Sequence, residues 1–179
     1  MFYTVKELIE QSHAFPSVAA LMVHTEVENS TRTEAQVRHL MSRNLEVMER
    51  SVKEGIAGVK SVTGLTGGEA KKLDAYVTSG QFMSGKPIME AVRNAVAVNE
   101  VNAKMGLICA TPTAGSAGVL AGVLLAMRDR LHLSHDQQLD FLFTAGAFGL
   151  VIANCWCRRR LPRGSRFCEC NGGSCVGNG

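Results

Sequence analysis

Aromatic residues make up only 6% of this 179-residue chain, with one Trp and two Tyr. A core with so few rings must be built from Ala, Val, Leu and Met. That favours helices packed closely through small side chains over a β-sandwich. No segment shows the clean alternation of a half-buried strand. Long apolar runs are also missing. The longest, Phe141–Ala153, contains Thr and Gly and falls short of the roughly 18 residues that a membrane-spanning helix requires. The first turns carry acidic and polar side chains rather than an apolar signal core, so a cytoplasmic protein with no membrane partner is expected. The five histidines, His13, His24, His39, His132 and His135, show no metal-ligand spacing and read as solvated or core-edge residues. Up to Asn154 there is a single cysteine, Cys109. One cysteine cannot hold a metal cluster, and alone it reads as a small buried hydrophobe.

What is present divides unevenly. Residues 1–154 carry 14 Lys+Arg against 15 Asp+Glu, whereas 155–179 carry five Arg and one Glu. The other five cysteines, Cys155, Cys157, Cys168, Cys170 and Cys175, lie in that tail. The expected organisation is one helical domain over 1–154, followed by a disordered Cys/Arg/Gly-rich tail over 155–179. A chain of this length buries roughly 70% of the surface it exposes when unfolded.

Thr4-Val-Lys-Glu7 is a capping-box pattern and opens a short helix that ends before Pro16. A second helix is expected from Pro16 to about Val27. Thr31-Arg-Thr-Glu34 is another capping box. After it Val37, Leu40, Met41, Leu45, Met48 and Val52 recur at helical spacing to about Glu54. Further helices are expected at Glu69–Val77, from Pro87 to about Met105, at Ala117–Met127, and from an N-cap at Ser134 to about Ala153. The fold class is therefore all-α, a compact domain of seven or eight helices with Gly-rich loops as the functional surface.

Three stretches invite a chemical reading. Gly80-Gln-Phe-Met-Ser-Gly85-Lys86 has the glycine spacing and lysine of a phosphate-binding loop. Pro87 stands where Ser or Thr belongs, however, and no apolar strand precedes it. No lysine lies in the second stretch, Met105–Gly118 (MGLICATPTAGSAG), so pyridoxal phosphate is a weak alternative. In that stretch Thr111–Gly118 has two readings. It is either a tight connection in which Gly115 and Gly118 relieve crowding, or an anion site. In the second case glycines bring backbone N–H groups to a carboxylate, and Thr111, Thr113 and Ser116 add hydroxyl donors at a helix N-terminus. The third stretch is the tail.

GLTGGEAKKL, SGKPIMEAVRNAVAVNEVNAKMG, CATPTAGSAG and FLFTAGAFGLVIAN together resemble the α chain of bacterial iron–sulfur-dependent L-serine dehydratases, over essentially all of 1–154. The resemblance implies a lyase that converts L-serine to pyruvate and ammonia with a [4Fe–4S] cluster and a separate β chain. No nucleic-acid partner is implied. It also implies Thr111, Thr113, Gly115 and Ser116 as substrate-binding residues, holding the substrate carboxylate, and leaves the catalytic base unassigned.

After Asn154 the family continues with Gly-Gly-Cys-Gln, Cys-Asp-Pro and Val-Pro-Cys motifs, whose cysteines are the expected cluster ligands. None is present here, where the chain reads CWCRRRLPRGSRFCECNGGSCVGNG. A zinc site is one reading of the C-x-C pairs, although zinc ligands usually come as C-x₂₋₄-C. Codons for this tail read one base later permit Ala-Gly-Val-Ala-Gly and a small-residue run like the family's continuation, so a shifted reading frame is expected. A chain of this sequence is then expected to lack the cluster and activity. The competing class is a non-catalytic helical interaction protein whose Cys/Arg-rich tail binds metal or nucleic acid.

Overall fold

The computed structural model describes residues 2–160, with the backbone alone beyond residue 153. Among the described residues there are seven α-helices and no strand, as the apolar spacing predicts. They are α1 (Val5–Ser12), α2 (Val18–Asn29), α3 (Glu34–Ala57), α4 (Glu69–Ser79), α5 (Lys86–Ala103), α6 (Ala117–Leu131) and α7 (His135–Arg160). No helix of the described residues is long and apolar enough to cross a membrane.

Short polar side chains start the first three helices, two of them not where the sequence pattern pointed. Thr4 Oγ1 accepts from the Glu7 N–H at 3.2 Å, and Glu7 in turn accepts from the Tyr3 N–H at 2.7 Å. Helix α2 begins two residues later than expected, because Ser17, not Pro16, is the extended N-cap and accepts from Ala20 N–H. The capping box of α3 is Thr33 with Gln36, in which Gln36 N–H and Thr33 N–H each donate to the other side chain at 3.4 and 2.9 Å. The expected Thr31–Glu34 box does not form. Thr33 is extended, so Glu34 is the first helical residue and cannot reach back from the third.

Helix α5 is the hub, packing most extensively on α6 and next on α3 and α4, while α7 lies chiefly on α2. Phe143, Leu124, Val98 and Val101 are among the largest fully buried side chains. The α5–α6 and α3–α5 crossings are close because glycine stands at each. A Cβ on Gly55 would strike the Ala97 carbonyl, one on Gly118 the Ala95 carbonyl, and one on Gly122 would lie 2.6 Å from the Ala91 carbonyl oxygen. Small side chains thus replace aromatics as the means of dense packing.

Helix α7 continues through Arg160, beyond the end expected near Ala153. The remaining expectations for the tail, its disorder and a zinc site among its cysteines, lie outside the described residues.

Candidate functional site

Helix α5 ends in a Schellman arrangement: Gly106 N–H donates to Val101 O at 2.9 Å and Met105 N–H to Asn102 O at 2.9 Å. Met105 takes the left-handed position, with φ 65°, that glycine normally fills. This turn sends the chain back along α5. Ile108 and Cys109 then pack against the core, and the segment enters α6 through Thr111–Ser116. The α6 end of the segment is fixed by the Gly118–Ala95 contact, so the loop sits on a rigid helix pair.

Within the loop the hydroxyls bond to the loop itself. Ser116 Oγ donates to Thr111 O at 2.8 Å, and Thr113 Oγ1 lies 2.9 Å from Ser116 Oγ. Ser116 N–H donates to Thr113 Oγ1 at 3.2 Å, and Thr113 N–H to Ser116 Oγ at 3.3 Å. A hydroxyl carries one proton, so with Ser116 donating to Thr111 O, Thr113 donates to Ser116. Both protons are then used inside the loop, which the sequence did not indicate. Three donors point elsewhere. Thr111 Oγ1 is buried and has no hydrogen-bond partner. The N–H groups of Ala114 and Gly115, in exposed residues, make no hydrogen bond among the described residues.

The two glycines of the loop separate cleanly. Gly118 relieves crowding. Gly115 does not, because a Cβ there would meet nothing nearer than Thr113 Oγ1 at 4.0 Å. The space above Gly115 is therefore open, at the positive end of α6.

Glu100 is a residue that sequence reasoning missed. It is only 6% exposed, and its Oε1 accepts from the N–H groups of Glu69 and Ala70 at 2.6 and 3.2 Å. It thereby caps α4, whose own N-cap, Gly68 (φ 93°), has no side chain to do so. Its Oε2 is buried without a hydrogen-bond partner. Burial first, and the adjoining Glu69 carboxyl second, push the Glu100 carboxyl above its ordinary range. Its position in the apolar stripe of Ala97, Val98 and Val101 was the available signal.

The phosphate-loop pattern carries no such site. Gly80 ends a helix rather than a strand, with φ 71° and its N–H bonded to Val77 O. Lys86 lies at an open cleft of about 400 Å³ with Glu90, Arg93 and Asp129, where Lys86 pairs with Glu90 and Arg93 with Asp74. Burial pushes the Cys109 thiol up, away from the reactive thiolate form. Among the histidines, His135 meets Ser42 at 3.1 Å and His24 meets Glu28 at 3.6 Å.

Fold and loop together define an all-α protein with a hydroxyl- and glycine-bearing loop between two close-packed helices, three of whose donors have no hydrogen-bond partner among the described residues. The sequence profile of the family described as "Serine dehydratase alpha chain" matches residues 15–177, and the chain belongs to that family. It is 52% identical over 155 residues to the "Probable L-serine dehydratase, alpha chain" of Bacillus subtilis (strain 168), a match covering 86% of this chain and 52% of the relative. A 67-residue match at 61% identity, 37% of this chain and 32% of the relative, joins it to a protein of the same description from Latilactobacillus sakei. The "L-serine dehydratase, alpha chain" of Peptoniphilus asaccharolyticus is 29% identical over 155 residues, covering 85% and 53%. The chain spans about half the length of the Bacillus and Peptoniphilus proteins. No solved structure matches it.

Iron–sulfur clusters are held by several thiolates, four in the common case. Among the residues whose side chains are described Cys109 is the one cysteine, and no three His, Cys, Asp or Glu side chains converge where they could hold a metal ion. The described residues therefore do not fit a cluster. The cysteines of the tail lie outside the described side chains.

Proposed function

We propose that this chain supplies the substrate-carboxylate side of an L-serine dehydratase α chain, with Thr111, Thr113, Gly115 and Ser116 forming the receiving loop. The observation that supports it most is the set of donors without partners: buried Thr111 Oγ1 beside the exposed N–H groups of Ala114 and Gly115, at the N-terminus of α6. A carboxylate accepts several hydrogen bonds at once and is favoured at that end of a helix. In this reading Thr113 and Ser116 shape the loop, Thr111 and the backbone donate, and open Gly115 leaves room for the ligand.

Loss of water from L-serine begins with removal of a weakly acidic α-proton, and negative charge then spreads onto the carboxylate. Donors fixed around that carboxylate stabilise the charge as it develops, and the effect is greatest where they need not reorganise. The base and the group that assists departure of the hydroxyl are not assigned to residues of this chain. Deamination of L-serine to pyruvate and ammonia, dependence on an iron–sulfur cluster, a β-chain partner and a cytoplasmic location complete the proposal. The family membership and the printed names of the relatives support them. The competing reading, a non-catalytic interaction protein with a metal- or nucleic-acid-binding tail, has no observation among the described residues in its favour. Metal analysis and a serine assay separate the two.

The test is a titration of the isotopically labelled chain with L-serine, followed at the backbone amides. Ala114 and Gly115 should shift together, and Thr111→Val should weaken the response. In a complete, active dehydratase assembled with this α-chain segment, Thr113→Ala with Ser116→Ala should raise the serine KM. Amide shifts confined to other regions, or an unchanged KM, would remove the assignment.

A further inference from the structure

Helical glycines in this chain fall into two groups. Gly55, Gly118 and Gly122 each face a backbone carbonyl of a crossing helix, and each marks a place where two helices approach closely. Among the described residues, Gly146 and Gly149, inside α7, have no atom from outside their own stretch of helix backbone within 4 Å of the place a Cβ would occupy. A glycine in a helix interior is destabilising relative to alanine, and nothing in the described chain compensates at these two positions. They have the form of a close crossing whose second helix is elsewhere.

The surrounding side chains fit that reading. Phe141, Ala145, Phe148 and Ile152 follow one another at spacings of four, three and four residues, which places them on one stripe. Phe148 is 47% and Ile152 65% exposed. The opposite side, including Leu139, Phe143, Ala147 and Val151, is buried in the core. No charged residue occurs from Phe141 to Ala153. Helix α7 is therefore apolar on two sides, and the described chain covers one of them.

We infer that the outer side of α7, centred near Gly149 and bounded by Phe148 on one edge and Gly146 on the other, is the docking face for an apolar helix from the half of the family polypeptide that lies outside the matched residues. The Bacillus and Peptoniphilus relatives have close to half their length beyond the match, which is ample for such a helix. The tail of the present chain is a poor occupant. Between Leu161 and Gly179 it carries Arg163, Arg166, Glu169 and five glycines, and it offers no apolar stripe. The partner helix should bring large aliphatic or aromatic side chains into the hollow over Gly146 and Gly149, with Phe148 and Ile152 as the ridge beside it. This inference rests on family membership and is independent of the loop assignment.

The experiment co-expresses the full chain with the unmatched half of the Bacillus subtilis relative and measures association by sedimentation. A one-to-one complex is expected. Gly146→Leu with Gly149→Leu should weaken it by about tenfold or more, because the added bulk holds the helices apart. The helix content and Tm of the substituted chain alone should not fall, since no other part of the described chain lies near either glycine. Phe148→Asp, at an exposed position, should give the same loss without added bulk. Failure of the wild-type chain to associate, equal affinity in the variants, or a homodimer of this chain that the same substitutions dissociate would each overturn the inference.

Discussion

Replacing Gly118 by Ala adds one methyl group to the buried face of α6, and the structure places the backbone of Ala95 where that methyl must go. The Ala95 carbonyl carbon and Cα would lie 3.0 Å from it, and the carbonyl oxygen nearer still. These are backbone atoms of α5, so the strain cannot be relieved by turning a side chain. Alanine improves helix propensity by about 1 kcal/mol over glycine, whereas forcing an extra methyl group into a packed contact costs about 1–3 kcal/mol. The net effect should be a loss of up to about 2 kcal/mol, which for a chain of this size lowers Tm by up to about 8 °C. Gly146→Ala is the matched control. It gains the same propensity in open space and should raise Tm by about 1–4 °C. Thermal unfolding followed by circular dichroism reads both. If Gly118→Ala stabilises the protein as much as Gly146→Ala does, the α5–α6 separation is not set by glycine, and the account of a rigid base for the loop fails.

Thr33→Ala should cost about 1 kcal/mol through loss of the α3 cap, while Thr31→Ala should stay within about 0.5 kcal/mol; urea unfolding distinguishes them. Met105→Gly should stabilise by about 1 kcal/mol in the same assay, because the left-handed position suits glycine and the Met105 side chain is 85% exposed. The carboxyl of Glu100 titrates above its ordinary 4.5 in the folded chain. Its contribution to stability is therefore complete below that ordinary value and is lost as pH rises through the raised folded value. Glu100→Gln should remove that part of the decline on going from acid to neutral pH. An identical pH slope in wild type and variant would show that Glu100 titrates normally.

Much of this architecture could be read along the chain, because its causes are local. Thr4, Glu69, Ala117 and Ser134 marked helix starts through capping chemistry or a change in composition, and Val37 to Val52 marked the buried face of α3 by spacing alone. Ends were harder. Ser17 displaced Pro16 as a start, and Thr33 displaced Thr31, because competing start signals lay within a few residues and the cap is the hydroxyl that reaches the unpaired N–H groups of the first turn. The loop Thr111–Ser116 was visible as a concentration of hydroxyls and glycine. Which of its donors were committed to one another was not visible, because hydrogen bonds across a turn depend on dihedral angles rather than on composition.

The sequence by itself determined the helical class, the approximate extent of each helix, the family and the segment in which to look for a substrate contact. Those properties follow from residue type and periodicity within one element. The tertiary structure alone decided that Gly118 is a spacer and Gly115 an opening, that Glu100 on α5 caps α4, and that α7 keeps an uncovered apolar side. Each of these depends on what a second helix places within a few ångströms of the residue, and no property of a single helix specifies its neighbour.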